Sequence, residues 1–308
     1  MTLLLTHPDA DRHENPPGHP EQVARLEAVR AALDGMDLTR ESPQEAPDAA
    51  LLRCHPQRYL DALAAAQPAE GWAQLDADTS LSPGSLRAAR LAAGAALRAV
   101  DAVVEGDARN AFVAMRPPGH HAETETPMGF CLFGTVAIAA KHALDHHGLG
   151  RVAVVDFDVH HGNGTQDLLW DEPRSLFVST HQSPLWPGTG AAGETGAHDN
   201  VMNVPLPPNS DGRVFRARMQ DDILPRLNAF APDLVLVSAG FDAHADDPLA
   251  QLTWTTEDFV WVTERLCDLA HAHAGGRLVS CLEGGYDLDA LADAAGAHVD
   301  VLRRRENG

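Results

Sequence analysis

The chain has 308 residues, and its 44 Asp and Glu outweigh 23 Lys and Arg to leave a formal charge of −21. Affinity for nucleic acids rests on clustered basic side chains, so this balance excludes RNA and DNA as expected partners and suits neutral or cationic ligands. No apolar run approaches the ~20 residues that span a bilayer, the opening MTLLLTHPDADRHENPP lacks the basic and apolar regions of a secretory leader, and four cysteines without CxxC spacing argue against both a disulfide framework and a thiolate zinc site.

A cytoplasmic protein with reduced core thiols is therefore expected, with Cys131 the one placed to line a site. Residues 3–5 read as a strand and 20–33 (PEQVARLEAVRAAL) as an amphipathic helix. Residues 85–106 are rich in Ala, Leu and Arg, follow Ser82-Pro83 and stop at Gly106, which predicts a helix with a glycine end. The apolar run 111–115 (AFVAM) predicts a strand that breaks into Arg116-Pro117-Pro118-Gly119-His120-His121, and helix 134–147 follows. Next, 152–155 (VAVV) opens into Asp156, Asp158, His160, His161 and Asn163. A helix over 211–230 precedes the strand 234–238 (LVLVS), which runs into Ala239-Gly240-Phe241-Asp242. Helix 256–274 opens on acidic residues, strand 277–282 (RLVSCL) runs into Glu283-Gly284-Gly285-Tyr286, and helix 288–304 ends in basic ones.

Apolar strands separated by helices predict a three-layer α/β/α fold with a central, mainly parallel sheet, in which ligands bind beyond the carboxyl ends of the strands. Such units recur from end to end without a linker or composition break, so one catalytic domain over 1–308 is expected. All four polar clusters would then meet on one rim. In an extended segment Asp156, Asp158 and His160 share a face, with Val159 packed behind. One imidazole and carboxylates form a borderline donor set that suits Zn²⁺ and also Fe²⁺ or Co²⁺, for which Asp158, His160 and Asp242 are the candidate ligands. A metal-bound water needs a neighbouring base, for which the His120–His121 pair fits, and a base imidazole needs a partner on its other nitrogen, for which Asp156 and Asn163 stand in the metal loop. Tyr286, after two glycines, can donate its hydroxyl to a carbonyl oxygen as that oxygen gains charge.

RPPGHHA (116–122), PMGFC (127–131), DFDVHHGNGTQ (156–166), SAGFDAH (238–244) and EGGYD (283–287) resemble the histone deacetylase family, in order and over nearly the whole chain. The unbroken RPPGHHA and Asn163 place the resemblance nearest the class II branch and its bacterial relatives. It implies an arginase-deacetylase fold and a zinc-dependent amidohydrolase that releases acetate from acetylated amines. By the same resemblance Asp158, His160 and Asp242 are the zinc ligands, His121 the general base and His120 its electrostatic partner. Asp156 pairs with His120 and, with Ser179, Thr180 and the carbonyls of Asp158 and His160, forms a structural K⁺ site. Gly129 and Phe130 form one wall of the substrate tunnel and Trp186, where the family usually has Phe, the other. Arg25 resembles an arginine behind the zinc in a channel for acetate, although its motif HPEQVARL departs from the usual HPERPERL.

Two departures bear on the substrate. Tyr286 stands where class IIa deacetylases have His, which implies a competent hydrolase. Leu249 stands where polyamine-selective relatives have Glu, which leaves no carboxylate at the rim for a distant ammonium. The expected substrate is thus an acetyl-lysine peptide or another small acylated amine, with acetylpolyamines second and a non-catalytic acyl-lysine binder third; homo-oligomerisation is left open. Residues 6–20 are the expected lid. Asp242-Ala243-His244-Ala245-Asp246 also spells the DxHxD of a binuclear manganese site, but a second metal would need an acidic ligand where His161 stands.

Overall fold

In the computed structural model, which describes residues 1–305, ten strands and ten helices run in the order β1 (Thr2–Leu5), α1 (Val23–Ala32), β2 (Thr39–Glu41), α2 (Asp48–Leu51), α3 (Gln57–Ala66), β3 (Ala73–Gln74), β4 (Ser80–Leu81), α4 (Ser85–Glu105), β5 (Asn110–Val113), α5 (Thr135–Asp145), β6 (Val152–Asp156), α6 (Asn163–Leu169), β7 (Ser175–Gln182), β8 (Val201–Leu206), α7 (Gly212–Arg218), α8 (Leu224–Phe230), β9 (Leu234–Ala239), α9 (Thr256–His273), β10 (Leu278–Leu282) and α10 (Leu288–Arg304). Eight strands form one sheet in the order β2-β1-β5-β10-β9-β6-β7-β8, and every pairing in it is parallel. Helices α1, α10 and α9 pack together on one face and α4, α5 and α6 on the other, which is the expected three-layer arrangement.

The order places the site. β5, β10, β9 and β6 are consecutive neighbours, each buried along its whole length, and all four end at the same edge. The polar segments that follow them, far apart in sequence, therefore leave one short stretch of rim. Two caps fix what comes next. The Asp287 side chain accepts from the N–H of Ala290 and starts α10 directly after Tyr286, and a capping box between Thr255 and Asp258 starts α9.

The expected helix 211–230 is two helices joined by a π turn over Met219–Ile223. Pro225 has no N–H and crowds the carbonyl four residues back, so the Leu224 N–H bonds to the Met219 carbonyl instead. The residues 6–20 contain a 3₁₀ turn, Pro8–Arg12, tied down by Arg30 to Asp11 and by Arg116 to the carbonyl of His13. Of that expected lid, His19 and Pro20 reach the cavity described below. Strands β2, β7 and β8 and helices α2, α3 and α6 were not foreseen. β7 (SLFVSTHQ) is wholly buried yet half polar, and β8 contains Pro205, which an edge strand tolerates. Among the described residues no helix is long and apolar enough to cross a membrane.

Candidate active site

The loops after β5, β6, β7, β9 and β10 contribute to a cavity of about 380 Å³ lined by His121, His160 and Tyr286 together with Gly129, Phe130, Trp186 and Leu249. Below it, His160 Nδ1 stands 3.1 Å from an oxygen of Asp158 and 3.1 Å from an oxygen of Asp242. Both carboxylates are fully buried. Burial raises Asp242, with the charge of Asp158, to about 7, whereas Asp158 is held low despite its burial by His120 and His160. His160, though burial opposes its charge, is raised to about 10 by hydrogen bonds to the two carboxylates.

With Asp156 alongside, three buried carboxylates face two imidazoles, His160 and His120, which leaves excess negative charge in a low-dielectric place, and the one-nitrogen, two-oxygen set of His160, Asp158 and Asp242 is what a zinc ion accepts. The surroundings are shaped to spare it room: a Cβ on Gly284 would come 2.2 Å from Asp242 Oδ2, and one on Gly240 would come 2.1 Å from Asp158 Oδ2. The backbone also fixes the ligands, with Gly284 N–H donating to Asp158 and Val159 N–H to Asp242. The residues present thus fit a divalent cation. DxHxD does not extend it: His244 turns to the backbone N–H of Asp246, and Asp246 is exposed. His161 points elsewhere too, to Thr189 and Gln166.

The two adjacent histidines stand in opposite environments. His120 Nδ1 bonds to Asp156 at 2.9 Å, and although burial pulls it down, Asp158 and Asp156 hold its pKa well above the ordinary value. His121 is held well below, by burial and by the charges of His120 and His160. Its Nδ1 lies 2.7 Å from Asn163 Oδ1, while the Asn163 amide donates to Glu123 Oε1 at 2.8 Å. An amide oxygen can only accept, so Nδ1 carries the proton and Nε2 keeps a free lone pair. The result is a neutral base beside an imidazolium.

Tyr286 is held by its own backbone N–H to Asp247 and by Arg25 stacked 4.9 Å over its ring. Burial pushes its phenol well above the usual value, so it remains a donor. Arg25 is not part of the cavity wall. Its donors are occupied by Glu21 and by the carbonyls of Glu283 and Gly285, which makes it a support behind Tyr286. Gly129 and Phe130 both have positive φ, and a Cβ at Gly129 would lie 2.4 Å from the His121 ring and 2.6 Å from Trp186. Trp186 stands edge-on to His121 at 4.7 Å with 41% of its surface exposed at the mouth. Of the residues expected around K⁺, Ser179 pairs in register with Asp156, the Thr180 hydroxyl donates to the Asp156 carbonyl at 3.4 Å, and Ser179 Oγ bonds to His181. Cys131 does not line the cavity; it is buried with its Sγ on the Gly129 carbonyl.

Residues 19–302 match the profile of the histone deacetylase domain. The chain belongs to the histone deacetylase family. It is 42% identical over 277 residues to a histone deacetylase-like amidohydrolase of Pseudomonas aeruginosa, covering 87% of this chain and 73% of that one. An uncharacterized protein of Synechocystis is 47% identical over 300 residues, 95% of this chain and 96% of that one. The crystal structure of the HDA15 HD domain superposes with a TM-score of 0.93 at 33% identity, over 98% of this chain and 87% of that one. This family member is accordingly a deacetylase-type amidohydrolase with an α/β fold.

His19 and Pro20, from the expected lid, complete the cavity wall together with Ala77, Asp78 and Leu185, which the sequence did not single out. His19 donates from Nε2 to the Asp78 carbonyl and packs edge-on to Phe130 at 4.7 Å. Asp78 supplies the rim carboxylate that Leu249 had seemed to rule out. Its pKa is raised by partial burial and by Asp76. Glu283, quoted within a motif but given no role, accepts from the backbone N–H groups of Gly119 and His120 and so holds the histidine loop. Burial raises it to about 7. Strand periodicity points to none of them, because they lie on turns or reach the site from behind.

Proposed function

We propose that this chain is a zinc-dependent hydrolase that removes acetyl groups from the ε-amine of lysine in peptides. The reading rests on one juxtaposition: a narrow cavity with aromatic walls ends where a neutral His121, a protonated Tyr286 and the Asp158–His160–Asp242 set converge. When bound there, Zn²⁺ supplies a Lewis acid for the acyl oxygen and lowers the pKa of water. His121 Nε2 takes a proton from the attacking water and returns one to the leaving amine, and the His120 imidazolium, fixed by Asp156, favours negative charge building beside it. The Tyr286 hydroxyl donates to the acyl oxygen as it becomes an oxyanion. Phe130 and Trp186 grip the alkyl stem and exclude water. Asp156, Ser179 and Thr180, with the carbonyls of Asp158 and His160, would bind K⁺ and brace the loop from behind. Four buried free thiols accord with a cytoplasmic setting.

Asp78 favours a second reading, an acetylpolyamine or other cationic small amide, since a rim carboxylate can meet a distant ammonium. A panel of acetyl-lysine peptides, acetylpolyamines and neutral acyl amides, assayed with zinc-reconstituted protein, separates the two. The first reading expects the highest kcat/KM on peptides. A higher value on acetylpolyamines that falls selectively in Asp78→Asn would overturn it in favour of the second, and no turnover of any amide would overturn both.

A further inference from the structure

At the opposite end of the sheet, where α4 and α5 run down toward the starts of β5 and β6, lies a second cluster of ligating side chains. His142 and His146 are four residues apart at the end of α5, so they share a face, with rings stacked at 4.7 Å and 10°. His147 stands edge-on to both, at 5.2 and 4.9 Å. Asp101, on the neighbouring α4, places a single oxygen 2.7 Å from Nε2 of His142 and 2.7 Å from Nε2 of His147. One ligand atom from each of the four residues lies within 4.8 Å of the others. The side chains of His142 and His147 are each 10% exposed and that of Asp101 31%, while His146 is open to solvent. An ion can therefore reach a cluster whose deeper members are already held in place.

We propose that Asp101, His142, His146 and His147 form a second transition-metal site, for Zn²⁺, Ni²⁺, Co²⁺ or Cu²⁺, separate from the catalytic one. Three imidazoles and a carboxylate form a complete four-ligand shell for such ions. The i, i+4 histidine pair chelates from one helix and Asp101 adds the next, so a bound ion clamps α4 to α5. The present hydrogen bonding specifies the proton cost. Arg53 Nη1 lies 3.2 Å from His142 Nδ1 and can only donate, so Nδ1 accepts and Nε2 carries the proton it gives to Asp101. For Nε2 to ligate, that proton moves to Nδ1 and Arg53 must let go. Arg53 is thus built into the site as an opponent of metal binding.

The full chain, stripped with chelator, reloaded with Zn²⁺ and dialysed, should retain two equivalents by elemental analysis. His146→Gln/His147→Gln should retain one, with parent turnover, because neither residue belongs to the catalytic machinery. Asp158→Ala should retain one as well, held at the distal site, and there Zn²⁺ should still raise the melting temperature. Adding His146→Gln/His147→Gln to Asp158→Ala should abolish that rise. Arg53→Gln, whose amide can accept from Nδ1–H, should bind the distal ion several-fold more tightly. A single equivalent in the parent chain, or a second one indifferent to His146→Gln/His147→Gln, overturns the proposal, and weaker binding in Arg53→Gln overturns the assignment of Nε2 as the His142 ligand.

Discussion

Two charged clusters are buried back to back in this protein, and only one of them surrounds its carboxylate with cations. Around Glu21, the guanidinium groups of Arg25 and Arg116, the Asn15 amide and His13 all converge on one carboxylate, and the remaining guanidinium donors reach backbone carbonyls. Glu21 is accordingly held well below the usual carboxylate range, although its burial opposes this. Across the EGGY backbone, the three buried carboxylates of Asp156, Asp158 and Asp242 have two imidazoles, His120 and His160, between them and backbone N–H groups. Arg25 joins the two by holding the carbonyls of Glu283 and Gly285, on either side of the Gly284 whose N–H reaches Asp158. A saturated cluster serves the fold. A cluster left negative is suited to a cation, because a buried charge persists only when something offsets it.

The sharpest test removes a carboxylate from the Asp158–Asp242 side. Asp158→Ala or Asp242→Ala should bring activity to background and empty the catalytic metal site, yet leave the metal-free protein's melting temperature unchanged or higher, since like charges are relieved. Catalytic-site occupancy equal to the parent in both variants would sink the ligand assignment. On the Glu21 side the order reverses. Glu21→Gln should destabilise by about 3–5 kcal/mol, the usual cost of stranding one partner of a buried ion pair, as read from denaturant midpoints. A shift under ~1 kcal/mol would mean that the guanidinium groups find other acceptors.

The remaining contrasts lie within the cavity. Tyr286→Phe should lower kcat by ~10²–10³ with little change in KM, as expected of a donor used mainly in the transition state. Parent-like turnover would reduce the tyrosine to packing. His121→Ala should cost about 10²-fold in turnover, at the low end of general-base contributions, with metal retained. Should His120→Ala prove the more damaging, the roles of base and imidazolium are reversed.

What was legible in the chain followed from burial on both faces. β5, β6, β9 and β10 announce themselves as apolar runs, and their polar ends contain the ligands, the two histidines and Tyr286. β7 stayed hidden because its buried side chains, Ser179, Thr180, His181 and Gln182, satisfy each other and the neighbouring backbone, so its composition is that of a loop. Adjacency of the four site strands was equally invisible, since β10 and β9 enter between β5 and β6 from far along the chain. Asp78 and His19 come from connections with no periodic signal. Glu21 and Arg116 could have been paired only by knowing that the first helix packs beside the β5 loop.

The thiol behind the Gly129–Phe130 turn carries a last consequence. Cys131 is fully buried, and burial, with the nearby charge of Glu283, pushes its pKa well above the ordinary value; Cys54 and Cys267 are each raised to about 12, and Cys281 is raised as well. Thiolate is the form that reacts with peroxide or alkylating agents, and none of these four sites supplies it near neutral pH. The Cys131 thiol is thereby a poor nucleophile in the folded protein, and its reaction with such reagents would report opening of the Gly129–Phe130 turn.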